Sequence, residues 1–236
     1  MGDQTYGLLL ASPALAFLLS VAIYPILRIA WMSFFTQNLG TELEPQFAGF
    51  LNYVRVASDG HFFRTLGTTA LFTFCAVTVE LLLGMVFALL LNERFRGRSL
   101  ARASALVPWA LPTAVLALAW VWVFNDQFGV LNDILIRLGI IEERIAWLGT
   151  GPTALFSVIV ADVWKTTPFM MIILLAGLQA IPRELYEAAA IDGAGSWRSF
   201  TLVTLPLLVP SILLALLFRT LHSFGIFDLI YVMTGG

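Results

Sequence analysis

The sequence predicts an all-α membrane protein, a polytopic helical bundle with five spans. Two observations carry this. Of the 236 residues, 59% are hydrophobic and only 12% charged, against roughly 45–50% and ~25% in soluble domains. Half the usual charge cannot cover a water-soluble globule of this size, and the mean hydropathy is +0.89. The apolar residues also gather in uncharged stretches of the ~20-residue length that a helix needs to cross the hydrocarbon core. Disorder, which requires low hydrophobicity and high charge, is excluded.

The spans follow in order. Between Asp3 and Arg28 lie 24 uncharged residues, so the first span is expected near 8–30. Its leader Met1-Gly2-Asp3-Gln4 lacks the positive start of a signal peptide, and the segment is expected to stay in the mature chain. The second span is placed near 66–91, interrupted only by Glu80. The third is placed near 103–124, within the 23 charge-free residues between Arg102 and Asp126. The fourth, near 153–180, carries Asp162 and Lys165; the fifth, near 206–230, carries Arg219, His222 and Asp228. No second domain is visible, so residues 1–236 read as one transmembrane domain.

Orientation comes from the arginines. Arg94, Arg96, Arg98 and Arg102 crowd the loop after the second span, which should therefore be cytoplasmic. Parity then places the N-terminus and the 182–200 loop inside. The outer loops, 36–65 and 125–152, carry Glu42, Glu44, Asp59, Asp126, Asp133, Glu142 and Glu143 but only four arginines. Within them, Asn132 to Leu148 put Ile134, Leu135, Leu138, Ile141 and Ile145 near one helical face, which predicts an amphipathic helix on the outer surface. Arg28 is expected to snorkel to the outer interface, and Trp120 and Trp122 to anchor there.

Several chemistries are missing. There is no His-Glu-x-x-His, no Gly-x-Ser-x-Gly and no phosphate-binding Gly-rich loop ending in Gly-Lys-Ser/Thr. Cys75 is the only cysteine, His61 and His222 are far apart, and a net charge of −2 gives no footprint for nucleic acid. No cofactor or metal is expected on this chain, and any ATP hydrolysis must come from another.

The cytoplasmic loop does not read as a linker. Pro182 suits the first turn of a helix, and Glu184 and Glu187 favour its positive N-terminal end. Gly193 or Gly195 can end it in a left-handed conformation, and Ser196 can cap a second short helix through Phe200 and Val203. Leu205-Pro206 and Pro210 then mark the start of span five. On these residues alone, a partnerless interfacial helix and a docking element are equally good readings.

The run Glu187-Ala188-Ala189-x-x-Asp192-Gly193-Ala194, followed by Phe200 and by Val203-x-Leu205-Pro206, resembles the cytoplasmic "EAA" loop of ABC-importer permeases. Phe128-Gly129-x-Leu131-Asn132, the run from Val163 to Met170 with its Trp164 and Pro168, and the stretch from Phe227-Asp228 to Thr234-Gly235-Gly236 are similar to segments of the carbohydrate-uptake permeases, above all the maltose and trehalose types. The resemblance implies a type I importer permease fold with six core spans. The sixth would follow the Gly-Gly pair, so the sequence is expected to be a truncated or incompletely covered subunit. The large periplasmic insertion of the enteric maltose permease is absent.

The same resemblance implies a subunit of the bacterial cytoplasmic (inner) membrane that works with a second permease in a heterodimer. A cytoplasmic ATPase dimer would hold ATP and Mg, and an extracytoplasmic binding protein would deliver a sugar, such as the disaccharides trehalose or maltose. Glu187, Ala188, Ala189, Asp192, Gly193 and Ala194 would contact the ATPase. Carried over through Trp164 and Pro168, the sugar path would include Asp162, Lys165, Thr166 and Phe169. Arg219, His222 and Ser223 would join it from span five. The plainer alternative for Asp162 and Lys165, three apart on one helix, is a buried ion pair. Glu80 reads as the partner of an arginine on another helix. A proton-coupled secondary transporter would show inverted repeats and broken helices, neither of which the sequence displays. An intramembrane enzyme is disfavoured by the missing motifs.

The topology is testable by labelling. A tag at Gly97 or Gly195 is expected to be inaccessible from outside the cell and one near Asn132 to be reachable; external labelling at Gly97 would invert the whole arrangement.

Overall fold

A computed structural model describes residues 3–37, 44–149 and 151–236; Glu42, counted above among the outer acids, lies outside them. Four helices among the described residues are long and apolar enough to cross a membrane, and a fifth span exists if one sharply bent pair is counted together. The chain divides into two compact units, 1–66 and 67–236.

In the first unit, α1 (Asp3–Leu18), a π-helical turn (Leu19–Ile23) and α2 (Tyr24–Met32) form the first span. Strands β1 (Phe35–Thr36) and β2 (Gln46–Phe47) pair antiparallel, Phe35 against Phe47 and Thr36 against Gln46. The short helix α3 (Leu51–Ser58) is tied to the end of α2 by Asn52, whose Nδ2 donates to the carbonyls of Ser33 and Phe35, each at 2.9 Å. Helix α4 (Gly60–Asn92) starts in this unit and supplies the second span.

The second unit is built around α8 (Gly151–Ala180), the fourth span, which packs on α5 (Arg98–Ala110) and on α11 (Leu205–Phe224). Two apolar cores lie along it. One gathers Phe72, Ala76, Ala117, Phe124, Val158 and Leu229; the other, toward the 182–200 loop, gathers Ala88, Leu91, Met171, Leu174, Leu178 and Leu208.

The third span departs from expectation, because it is not one helix. After α5 the chain turns through 89° into α6 (Thr113–Val123). Pro112 disfavours a helical conformation at the residue before it, and Leu111 accordingly sits extended at ψ 140°. Composition alone had hidden this break. Trp120 is half-buried, stacking on Phe124 at 5.2 Å and meeting Trp164 edge-on.

The 125–152 segment also differs. Helix α7 spans only Val130–Arg137, and Gly139 at φ +68° turns the chain back. The cause is Asn132, fully buried, which accepts hydrogen bonds from Ile145 N and Trp147 Nε1 and donates to Ile145 O. These bonds fold 139–148 over α7 instead of extending it.

The 182–200 element begins as expected with α9 (Arg183–Ile191), although Pro182 stands just before the helix. The second helix is not separate, and Ser196 does not cap it. Gly195 takes the cap position, and α10 (Ser196–Ser199) continues through a π-helical turn (Phe200–Thr204) into α11. Both π turns stand immediately before an X-Pro pair, Tyr24-Pro25 and Leu205-Pro206. The proline ring clashes with the carbonyl four residues back, and widening the preceding turn relieves that clash without ending the helix. Span five in turn stops at Phe224, and residues 228–234 form a separate helix, α12 (Asp228–Thr234), packed on α6 and α8.

Two glycines set the helix spacing. A Cβ on Gly84 would stand 2.7 Å from Met170 Cβ, and one on Gly177 would overlap Ser211 Oγ. Small residues at such crossings let backbones approach in the absence of any hydrophobic drive between helices. Gly84→Val and Gly177→Val are therefore expected to destabilise the fold by about 1–3 kcal/mol each, as overpacking does. Gly67→Ala, with nothing within 4 Å of the added Cβ, should be neutral. Thermal unfolding of the purified protein in one detergent compares the three.

Candidate functional site

A buried polar cluster joins three helices in the second unit. Arg219 on α11 donates from Nε to Glu80 Oε2 at 2.5 Å and from Nη2 to Glu80 Oε1 at 2.7 Å. The same Nη2 reaches Asp162 Oδ2 at 2.9 Å and Ser223 Oγ at 3.1 Å. Thr166 Oγ1 lies 2.6 Å from both Glu80 Oε1 and the carbonyl of Asp162. Glu80 and Ser223 are 0% exposed, Asp162 2% and Arg219 5%. The planar guanidinium can do this because its donors form a fixed fork that matches a carboxylate.

The expected partner for Glu80, an arginine on another helix, is thus present. The expected Asp162–Lys165 pair is not among the ion pairs of the described residues. Arg219, desolvated beside Asp162, takes that carboxylate, while Lys165 stays half-buried on the neighbouring face of α8. Four of the seven residues expected on the solute path (Asp162, Thr166, Arg219 and Ser223) therefore bond to one another.

The other three lie on a different, more open face. Lys165 and Phe169 are one turn apart on α8, and His222 is exposed on α11. The Phe169 ring stacks on Trp109 of α5 at 6.1 Å and meets Phe218 of α11 edge-on at 6.4 Å. Phe218 stands one turn before His222, and α8 and α11 run in opposite directions. Lys165 and His222 are thus brought to one level, a turn beyond the aromatic contact on the side away from the 182–200 loop. Trp109 and Phe218 were missed in the sequence, although the four-residue step from Phe218 to His222 was a usable signal. The arrangement is an aromatic floor with a polar rim, suited to a ligand with one apolar face and many hydroxyls.

The second candidate element is the 182–200 loop. At the end of α9, Gly193 adopts φ +75°; its N–H donates to Ala190 O at 3.1 Å, and Ala194 N–H donates to Ala189 O at 2.9 Å. This pair of bonds is a Schellman cap, which favours glycine at the left-handed position. Glu187, Ala188, Asp192 and Gly193 are exposed, while Ala189 and Ala194 are half-buried. Tyr186 Oη and Thr204 Oγ1, 3.0 Å apart, tie α9 to the π turn below α11.

Comparison with known proteins places this geometry. Residues 80–236 match the family described as "Binding-protein-dependent transport system inner membrane component". The chain is 45% identical over 234 residues to the trehalose/maltose transport system permease protein MalF of Thermococcus litoralis, covering 99% of this chain and 78% of that one. It is 43% identical over 236 residues to the sulfoquinovosyl glycerol transport system permease protein SmoG of Agrobacterium fabrum, covering 100% of this chain and 76% of that one. Among solved structures, it superposes with a TM-score of 0.75 on a chain of a bacterial ABC transporter involved in import of the polysaccharide alginate. That match covers 98% of this chain and 79% of the other at 24% identity, a likeness of fold. A second structure, the alginate ABC transporter in complex with an alginate pentasaccharide-bound periplasmic protein, matches at a TM-score of 0.74 and 25% identity over 93% of this chain and 72% of that one. The chain belongs to the family of inner membrane components of binding-protein-dependent transport systems, and is an ABC-importer permease subunit rather than an enzyme.

Proposed function

We propose that this permease forms one half of the path of a sugar importer, and that a disaccharide of the trehalose or maltose type is its cargo. The observation that carries the reading is the Phe169–Phe218 ring contact, which brings Lys165 and His222 to one level above an aromatic floor. An ionisable side chain within the membrane faces the bundle interior or a water-filled cavity rather than lipid. The face bearing Lys165 and His222 is accordingly the one that lines the path, with aromatic rings for the apolar face of a pyranose. The names of the relatives, with sugars or a sugar glycerol as cargo, support the same class. Asp162, Thr166, Arg219 and Ser223 stand behind that face and hold it.

In this reading the second half of the path is another permease, and sugar arrives from an extracytoplasmic binding protein. A cytoplasmic ATPase dimer binds ATP and Mg and docks on Glu187, Ala188, Ala189, Asp192, Gly193 and Ala194. The N-terminus is then cytoplasmic. Continuity of α10, the π turn and α11 gives that docking a direct route to Phe218 and His222.

The test is uptake into vesicles holding the full complex. Trehalose accumulation is expected to need both ATP and the binding protein and to survive collapse of the proton gradient. Dependence on the gradient alone would instead favour the secondary transporter. Phe169→Ala should impair uptake while the complex still assembles. Gly193→Val, which forces a β-branched residue to positive φ at a cost of order 1–3 kcal/mol, and Glu187→Lys should abolish sugar-stimulated ATP hydrolysis. A photo-crosslinker at Ala189 should capture the ATPase; capture of lipid alone, with normal transport by both variants, would remove the coupling role.

A further inference from the structure

Glu80 stands outside every set of residues that touches solute or ATPase, yet its bonds are placed with respect to those sets. Its carboxylate holds two helices at once. Oε1 is within hydrogen-bond distance of Thr166 on α8 and accepts from Arg219 on α11, and Oε2 accepts a second bond from Arg219. Thr166 directly follows Lys165 and lies three residues before Phe169. Arg219 directly follows Phe218 and lies three residues before His222. One buried side chain on α4 therefore pins α8 and α11 at the residues next to the four that form the open face.

We propose that Glu80 is a positioning residue for solute recognition: together with the direct Arg219–Asp162 bond it fixes the register of α8 against α11, and so sets Lys165 level with His222 above Phe169 and Phe218. The proposal rests on the reading of that face as the solute path. Its physical basis is the rigidity of the anchor. A slide of one helix past the other would strip the guanidinium of acceptors in a medium that offers no water to replace them, and an unpaired buried charge is the costliest defect a bundle can carry. Apolar packing alone penalises such a slide far less, since lipid-exposed helices gain little from burying one apolar surface against another. Close packing at Gly84 and Gly177 sets the separation of the helices.

Two variants separate positioning from mere folding. Glu80→Gln keeps the size and one acceptor oxygen while weakening the fork to Arg219. Thr166→Val removes the bond by which Glu80 itself reaches α8, along with the Thr166 contact to the Asp162 carbonyl, and leaves the Arg219–Glu80 and Arg219–Asp162 pairs in place. Each is made in the full complex, with trehalose on the binding protein as the probe. The expected result is an undiminished yield of assembled complex with the KM for loaded binding protein raised roughly tenfold in Glu80→Gln, the scale of one charge-assisted hydrogen bond, and by less in Thr166→Val. A second readout needs no solute. With Cys75→Ser as background, a cysteine pair at Phe169 and Phe218 should be bridged by a short bifunctional thiol reagent when Glu80 is present, and much less when it is glutamine.

Unchanged KM and unchanged cross-linking in both variants would overturn the proposal and leave Glu80 an element of folding alone. If Glu80→Gln fails to assemble, Thr166→Val decides by the same two measurements. If the unaltered complex does not take up trehalose, the sugar reading fails by itself, and cross-linking alone then upholds or overturns the register role.

Discussion

One guanidinium, that of Arg219, constrains more of this structure than any apolar contact does. A charged side chain at this depth cannot be solvated by lipid and must find its acceptors within the protein. Here they come from α4 and α8, with Ser223 from its own helix. The apolar cores on either side of the cluster can be filled by many side chains of the right volume, since hydrocarbon tails compete with them on nearly equal terms. The ion cluster tolerates no such exchange, because each acceptor has one position. Buried ion pairs seldom add stability over a well-packed apolar alternative; what this one adds is a single permitted alignment of three helices.

Much of the fold was legible because membrane spans announce themselves by length and composition. The four long helices fall where the long, mostly apolar stretches lie. The end of α9 at Gly193 was legible too, since a left-handed cap has a sequence signature. What could not be read was any feature set by a distant partner. Asn132 looks like one polar residue on an amphipathic helix until Ile145 and Trp147 return to it. Local spacing offers Asp162 only Lys165 as a partner, whereas Arg219, 57 residues on in sequence, is the one it takes. The 89° break after Ala110 had a sequence cue in Pro112, but a charge-free stretch concealed it.

The candidate path shows the same division. Lys165, Phe169 and His222 were identified through resemblance, and their placement on one face follows from helix periodicity once α8 and α11 are known to be antiparallel neighbours. Trp109 entered only through ring contact with Phe169. The polar residues expected beside them are turned inward, so that the face presented is more aromatic than the sequence implied.

The π turn at Phe200–Thr204 has a consequence for how such chains can vary. From Ser196 to Phe224 the backbone is one unbroken rod of 29 residues, roughly 44 Å at 1.5 Å per residue. Every residue added or removed within an α-helical rod rotates all that follows by about 100°. Arg219 would then point away from Glu80, and His222 away from Lys165. A π turn is the one local form that winds an extra residue into a helix while leaving the phase beyond it nearly intact. Length changes in this rod are thus confined to a place where a proline already holds the turn open; elsewhere the chain can change its letters but not its count.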